Sequence, residues 1–427
     1  MKTLQKLFAI LLVLLLCFGI TACSENAPEV TTVPPAKLLG PPVIGAVFSG
    51  FCDQQYTYSY DHYKDLLQAL GTTGYNYKTQ LFVAENIALE ETALREAVAT
   101  LIEQGANVIF CTDFGYSPYM LELAEEYSHI VFCQMGGTER NGQNLVDYFG
   151  EIYKSYYIAG RSAGKKALEE GITSIGFVSA YGMENPDAVA AVNAFLLGVR
   201  FYVGDATVYL KVLPNSNDEM MESVAAELLV EEYDCGILAQ YTNTSATLTT
   251  AKYLGVPACG PYFYANDLAP DTVLETPHFN WFKFYREAIV AAEKCTYAAD
   301  FGKQLGTDRY YPQGVGIGLG HIASLTEETE EELSHEVKYL LEYRFPSKVI
   351  TDESNPFYNE ADVLRLDRLF SGRFEVCYNE NGSMIYPKDL VDNQGNVIIP
   401  ADGVGMSVDR VRSMDFYLEG IVVVTDG

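Results

Sequence analysis

Basic and catalytic residue types are scarce in this chain. Its 427 residues include one tryptophan, five histidines and 28 Lys plus Arg against 57 Asp plus Glu, for a formal net charge of -29. A surface this acidic repels nucleic acid, whose binding needs cations against phosphate, so no nucleic-acid partner is expected. It also offers little to a polyanionic ligand. None of His62, His129, His278, His321 and His335 forms H-E-x-x-H or pairs with a cysteine at metal-ligand spacing. No G-x-S-x-G elbow and no Walker A loop is present. The run 314–320 is rich in glycine but lacks G-x-G-x-x-G spacing and a strand-turn-helix setting, so it reads as a loose or bulged segment. Asp53 has no partner carboxylate or base, and His278 reads as a packing residue. No catalytic residue, metal site or cofactor is expected.

Cysteine pairs at short spacing are missing too. Nine cysteines occur with no C-x-x-C, and two of them, Cys17 and Cys23, lie near the N-terminus. The other seven are scattered, which is neither a disulfide framework nor a zinc site. Cys111, Cys133 and Cys235 fall inside apolar, strand-like runs and read as small buried hydrophobes.

Among the features that are present, the N-terminus speaks first. Lys2 and Lys6 precede an apolar stretch, 8–20, too short for a comfortable membrane span. It ends in Thr21-Ala22-Cys23, small residues before a cysteine, as a lipoprotein signal peptidase requires. The expectation is a signal peptide over 1–22, a lipid on Cys23, a flexible tether over 23–42, and a protein held to the outer face of a cell membrane by acyl chains.

From residue 43 the pattern alternates. Strands are predicted at 43–49, 77–84, 107–112 and 129–134, with helices at 58–70, 91–105 and 117–127 between them. A helix at 152–170 leads to a second set. Strands at 174–180, 206–213, 235–240 and 256–260 alternate there with helices at 186–203, 218–232 and 244–254. Continuous apolar strands alternating with helices imply parallel sheets covered on both faces, and two such halves imply a cleft. Ligands in such folds lie outside the C-terminal strand ends. Those ends carry Asp53, Tyr116, Tyr181, Tyr241 with Asn243, and Tyr262. Residues 298–427 differ: a charged helix is predicted at 327–343, and turn chemistry at 379–382 and 392–396.

Several stretches resemble the BMP (PnrA-like) substrate-binding lipoproteins of ABC transporters. They are "DQQYTYSYDHYKDLL" (53–67), "VIFCTDFGY" (108–116), "LVDYFGEIYKSYYIAGRSAGKKA" (145–167), "NAFLLGVR" (193–200) and "LAPDTVLETPHFNWFKFYREAI" (268–289). The resemblance implies an α/β, type I periplasmic-binding-protein fold: two Rossmann-like lobes joined by a hinge. The N-terminal lobe would be 43–150 with about 280–300, and the C-terminal lobe 151–279. A C-terminal extension, 301–427, would pack on the lobes. It further implies a monomeric, non-enzymatic receptor that takes a purine nucleobase or nucleoside between the lobes and delivers it to a permease. A ligand-sensing lipoprotein signalling through a membrane partner is the alternative.

A purine is flat, and stacking contributes roughly 1–3 kcal/mol per base. Micromolar binding requires about 8 kcal/mol. Candidate ring contacts are Tyr56, which stands where the family has Trp, and Tyr116, Tyr181, Tyr241, Phe279 and Trp281. Asp53 and Asn243 are candidates for the polar edge, beside Thr57, where the family has Asn. Tyr262 occupies the position at which nucleoside-binding members place an acid for the ribose, which favours a base over a nucleoside.

Overall fold

Two parallel sheets organise the chain. The computed structural model describes residues 39–425 apart from 138–139, 149, 216–217, 306–314, 319–330, 336–365, 368, 372–376, 379–383, 386–388 and 404. The first sheet contains β1 (Ile44–Val47), β2 (Leu81–Ala84), β3 (Val108–Cys111), β4 (Val131–Met135) and β5 (Leu145–Tyr148), in the order β2-β1-β3-β4-β5, all parallel. Alternate residues feed opposite faces, as a pleated strand requires. Ala46, Val108, Phe110, Val131 and Cys133 bury into one core; Val47, Ile109, Cys111 and Phe132 bury into another. Helices therefore cover both faces. α1 (Tyr58–Thr73) contributes Leu66, Ala69 and Leu70, and α2 (Glu91–Glu103) contributes Leu94, Val98 and Leu101. α1 starts where the Thr57 side chain accepts from the Tyr60 amide and stops at Gly74 in the left-handed region (φ 82°).

The second sheet is built from β6 (Ser174–Ser179), β7 (Thr207–Val212), β8 (Ile237–Tyr241), β9 (Ala258–Cys259), β10 (Val273–Phe279), β11 (Val315–Gly318) and β12 (Ile421–Val424). Its order is β11-β10-β9-β8-β6-β7-β12, parallel except for antiparallel β11. α3 (Ile152–Glu170) and α4 (Pro186–Tyr202) pack almost backbone to backbone. A Cβ on Gly160 would stand 2.2 Å from the Phe195 carbonyl oxygen, and one on Gly198 would stand 2.2 Å from that of Tyr157.

The chain crosses between the sheets after β5 and again after β10. Gly150 at the first crossing lies under the Phe279 ring at the second, where any Cβ would come within 2.4 Å of the ring. After the second crossing, α5 (Trp281–Glu293) packs on α1 in the first lobe. The C-terminal residues return to the second lobe. Asn193 of α4 donates to the Phe416 carbonyl (2.9 Å) and accepts from the Leu418 amide (2.8 Å), feeding β12 onto β7.

Local details depart from the sequence reading. The strand expected at 77–84 is strand only from Leu81. Its first half is the helical turn Tyr77–Gln80, because the Asn76 side chain accepts from the Lys78 amide at 3.0 Å. The glycine-rich run contains a regular strand, β11, paired with β10. The turn at 392–396 forms: Asp392 accepts from the Gln394 and Asn396 amides, and Gly395 takes φ 88°. The turn at 379–382 and most of the helix expected at 327–343 lie outside the described residues. Cys52, Cys111, Cys133, Cys235 and Cys259 are buried free thiols.

Candidate ligand-binding site between the lobes

The carboxyl ends of the strands in both lobes meet around one cavity. The first lobe lines it with Tyr58, Asp113, Phe114 and Met135; the second with Tyr181, Asn185, Asp187, Tyr241, Tyr262 and Phe279. Strand ends place most of these: Asp113 follows β3, Tyr241 ends β8, Tyr262 follows β9 and Phe279 ends β10. Tyr58 and Asp187 come from the first turns of α1 and α4.

Tyr262 stands in the middle. Its ring lies 4.4 Å from that of Tyr241 and 5.2 Å from that of Tyr58, centroid to centroid, with Phe279 at 6.2 Å. Its hydroxyl donates to Asn243 Oδ1, and Asn243 Nδ2 donates to the Tyr181 hydroxyl at 3.3 Å. Tyr58 is fixed by a 2.9 Å bond from its hydroxyl to the Thr112 carbonyl. The rings close around a space that holds about one water. A flat heterocycle enters only when Tyr262 and its neighbours move apart.

Two buried carboxylates face this space from opposite lobes. Asp113 accepts from Ser49 Oγ (2.6 Å) and the Gly115 amide (3.0 Å). Burial raises its pKa, and those two bonds act against the rise. Asp187 sits one residue inside α4, whose Asn185 cap accepts from the Asp187 and Ala188 amides. Burial pushes Asp187 up to about 7, with the charge of Arg412 acting in the opposite sense. Among the described residues no lining side chain is basic. Chemically, the pocket presents ring faces and oxygen acceptors, which suits a planar or cationic donor of N–H bonds and disfavours an anion.

The other sequence candidates lie elsewhere. Asp53 is exposed on the loop before α1. Tyr56, half-buried, occupies the left-handed region (φ 59°), and Thr57 caps α1. Tyr116 is buried with its hydroxyl on the Ile87 carbonyl (2.8 Å). Trp281 is packed between His62 (4.2 Å) and Phe279 (4.1 Å), both rings nearly parallel to it, and does not line the cavity. It is the middle of an aromatic pile that continues the pocket wall inward, because Phe279 faces the cavity on one side and Trp281 on the other. His62 also bonds the Tyr285 hydroxyl, and burial holds its pKa well below the usual imidazole value. Sequence reasoning missed Tyr58, Phe114, Met135, Asn185 and Asp187 and gave Asp113 no role. The Asn-Pro-Asp cap after β6 was the available signal for two of them.

Comparison with known proteins bears on the family and the fold. The profile of the PnrA-like ABC transporter substrate-binding proteins (Bmp) matches residues 49–300, more than half of the chain. A Haloferax volcanii protein described as an ABC transporter glucose-binding protein is 30% identical over 219 residues, covering 49% of this chain and 54% of its own. A purine-binding protein of Brucella abortus is 26% identical over 234 residues, 55% of this chain and 63% of its own. The match thus spans less than two thirds of either relative. An ABC transporter solute-binding protein from Conexibacter woesei superposes with a TM-score of 0.52 at 14% identity, over 74% of this chain and 99% of its own, which speaks for the fold alone. The two-lobed α/β architecture is that of the type I periplasmic-binding proteins. Among the described residues no helix is long and apolar enough to cross a membrane. This chain is a member of the PnrA-like family of ABC transporter substrate-binding proteins.

Proposed function

We propose that this protein is a lipid-anchored, extracytoplasmic receptor that captures a purine-like base between its lobes and passes it to an ABC permease. One observation carries the reading: aromatic rings from both lobes converge with Asp113 and Asp187 on one cavity that, among the described residues, no basic side chain lines. Tyr181, Tyr241, Tyr262 and Phe279 supply the stacking faces, and the carboxylates accept from the N–H edge of the ring. Tyr262 stands where the family resemblance puts an acid for the ribose of nucleosides, so a free base is favoured over its nucleoside. Lobe opening admits the ligand by moving Tyr262 away from Tyr58, its nearest ring across the cleft. Cys23 carries the lipid, and the chain acts as a monomer.

A thermal-shift panel of adenine, guanine, hypoxanthine, adenosine, inosine and glucose tests the ligand. A base present at a hundred times its Kd stabilises the protein by about 2.7 kcal/mol. The shift should vanish in Tyr241→Ala and Asp113→Asn. Stabilisation by glucose alone, or by no purine, refutes the ligand assignment and leaves the fold intact. Detergent partitioning of Cys23→Ala against the native protein tests the anchor.

A further inference from the structure

The C-terminal segment makes a contact that ligand recognition does not require. On one side of Ser413 it is tied to the second lobe: Asn193 holds Phe416 and Leu418, Arg200 donates to the Glu419 carbonyl at 2.7 Å, and β12 completes the second sheet. Yet the Arg412 guanidinium points to the first lobe. It donates to Asp147 Oδ2 on β5 at 2.5 Å and to the Gly137 carbonyl after β4 at 2.7 Å. The Asp147 and Arg412 side chains are only 4% and 12% exposed, so the pair is shielded from solvent and salt. Gly136, beside Gly137, takes φ 67°, and a Cβ there would come within 3.8 Å of Asp187 Oδ2. Arg412, the Gly136–Gly137 turn, Asp147 and the cavity residue Asp187 thus share one junction between the lobes, with Arg140 also 3.6 Å from Asp147.

We infer that Arg412 is a positioning residue of the cleft: a strap from the C-terminal segment that holds the lobes together and supplies the counter-charge facing Asp187. Because the bond joins an element of each lobe, an opening that parts them at this junction has to break it, and the bond then biases the closure equilibrium. The same guanidinium draws Asp187 toward its ionised form, against burial. The strap therefore links how firmly the cleft shuts to the charge the cavity shows a ligand. This inference rests on the cleft belonging to a two-lobed binding protein and is independent of which solute it takes.

The test uses the full chain without ligand. Small-angle X-ray scattering compares native protein with Arg412→Ala, Arg412→Lys and Asp147→Asn, while circular dichroism checks that each is folded. Losing a charge-assisted pair should move the open-to-closed ratio about 10- to 100-fold toward open. Arg412→Ala and Asp147→Asn should then both show a larger radius of gyration, with Arg412→Lys close to native. The pKa of Asp187, followed by carboxyl carbon NMR and assigned with Asp187→Asn, should rise in Arg412→Ala and recover in Arg412→Lys. A folded Arg412→Ala with native radius and an unmoved Asp187 titration overturns the strap. If Arg412→Ala does not fold, Asp147→Asn decides from the other lobe. None of these readouts needs a purine, so failure of the ligand assignment leaves them interpretable.

Discussion

The two sheets are assembled differently. All five strands of the first come from one continuous stretch, Ile44 to Tyr148, and pair in parallel. The second takes β6 to β9 from a similar run, then adds β10, β11 and, at its far edge, β12 from the end of the chain. The first lobe borrows α5 and the short helix Phe301–Leu305, whose Gly302 amide donates to the Gln143 carbonyl, but no strand among the described residues. One lobe is thus closed by local chain and the other by distant chain, so perturbing the borrowed pieces should affect the second lobe first.

The largest effect is expected where the second lobe is tightest. At Gly160 and Gly198 an added Cβ meets backbone oxygen at 2.2 Å, and backbone cannot swing aside as a side chain can. Gly160→Val should cost more than about 4 kcal/mol, the range reserved for disrupted cores. Hydrogen exchange in urea would then show the second lobe unfolded while β1, β3 and β4 keep their protection. Equal loss of protection in those strands would show that the lobes do not fold separately.

Asn193→Ala comes next. It leaves the buried Leu418 amide and Phe416 carbonyl without the partner that Asn193 provides, a penalty of about 2–4 kcal/mol for the two groups. Hydrogen exchange should quicken along β12 and its neighbour β7 and stay unchanged in β1, β3 and β4. Fast exchange throughout both sheets would make β12 a support of the whole molecule.

This contrast also explains what the sequence discloses. Strands such as Val108–Cys111 and Ile237–Tyr241 are continuous apolar runs, legible because both faces are covered. β5 is missed because Leu-Val-Asp-Tyr is short and carries Asp147. That aspartate is explained by Arg412, 265 residues further on. β12 is not predicted either, because its pairing partner, β7, lies more than 200 residues earlier in the chain. In the site, Tyr181, Tyr241, Tyr262 and Phe279 are legible because strand ends point at a cleft. Tyr58 and Asp187 are not, since a residue in the first turn of a helix faces the cleft only if that helix lies in the right place. Trp281 looks like a ligand grip until His62, distant in sequence, is found stacked on it.

A pH effect probes α5, a helix that the first lobe borrows. Asp65 of α1 accepts from the Phe282 amide at the start of α5, at 3.1 Å. Burial, and then the charge of Asp61, raise its pKa to about 6 from 3.8. A carboxyl with a raised folded pKa contributes stability that is complete below the unfolded value. That contribution is lost as pH climbs through the folded one. Between pH 4 and 7 this group should remove up to about 3 kcal/mol. Asp65→Asn, which keeps an acceptor for Phe282, should gain on the native protein as pH rises through 6. His62, buried and neutral, has the opposite slope in both proteins and cancels in the difference. A difference in melting temperature that stays flat from pH 4 to 8 would mean that folding does not raise the Asp65 pKa.

The smallest effect lies on the first lobe's own surface. Gly71 is in α1, is exposed, and has nothing within 4 Å of where a Cβ would stand. It differs from Gly160 in space alone, since both sit in helices. With no atom to strike, an added methyl acts on the unfolded chain, whose extra freedom at glycine is what folding has to remove. Gly71→Ala should therefore stabilise by about 0.5–1 kcal/mol and raise Tm by about 1–3 °C. Trp281 fluorescence should register the gain, because α1 packs against the helix that begins with that tryptophan. If the second lobe unfolds independently, its exchange rates stay as they were, and the same type of glycine exchange has opposite signs in the two lobes. If they rise in step with the first, α1 and α5 transmit stability across the crossing at Phe279.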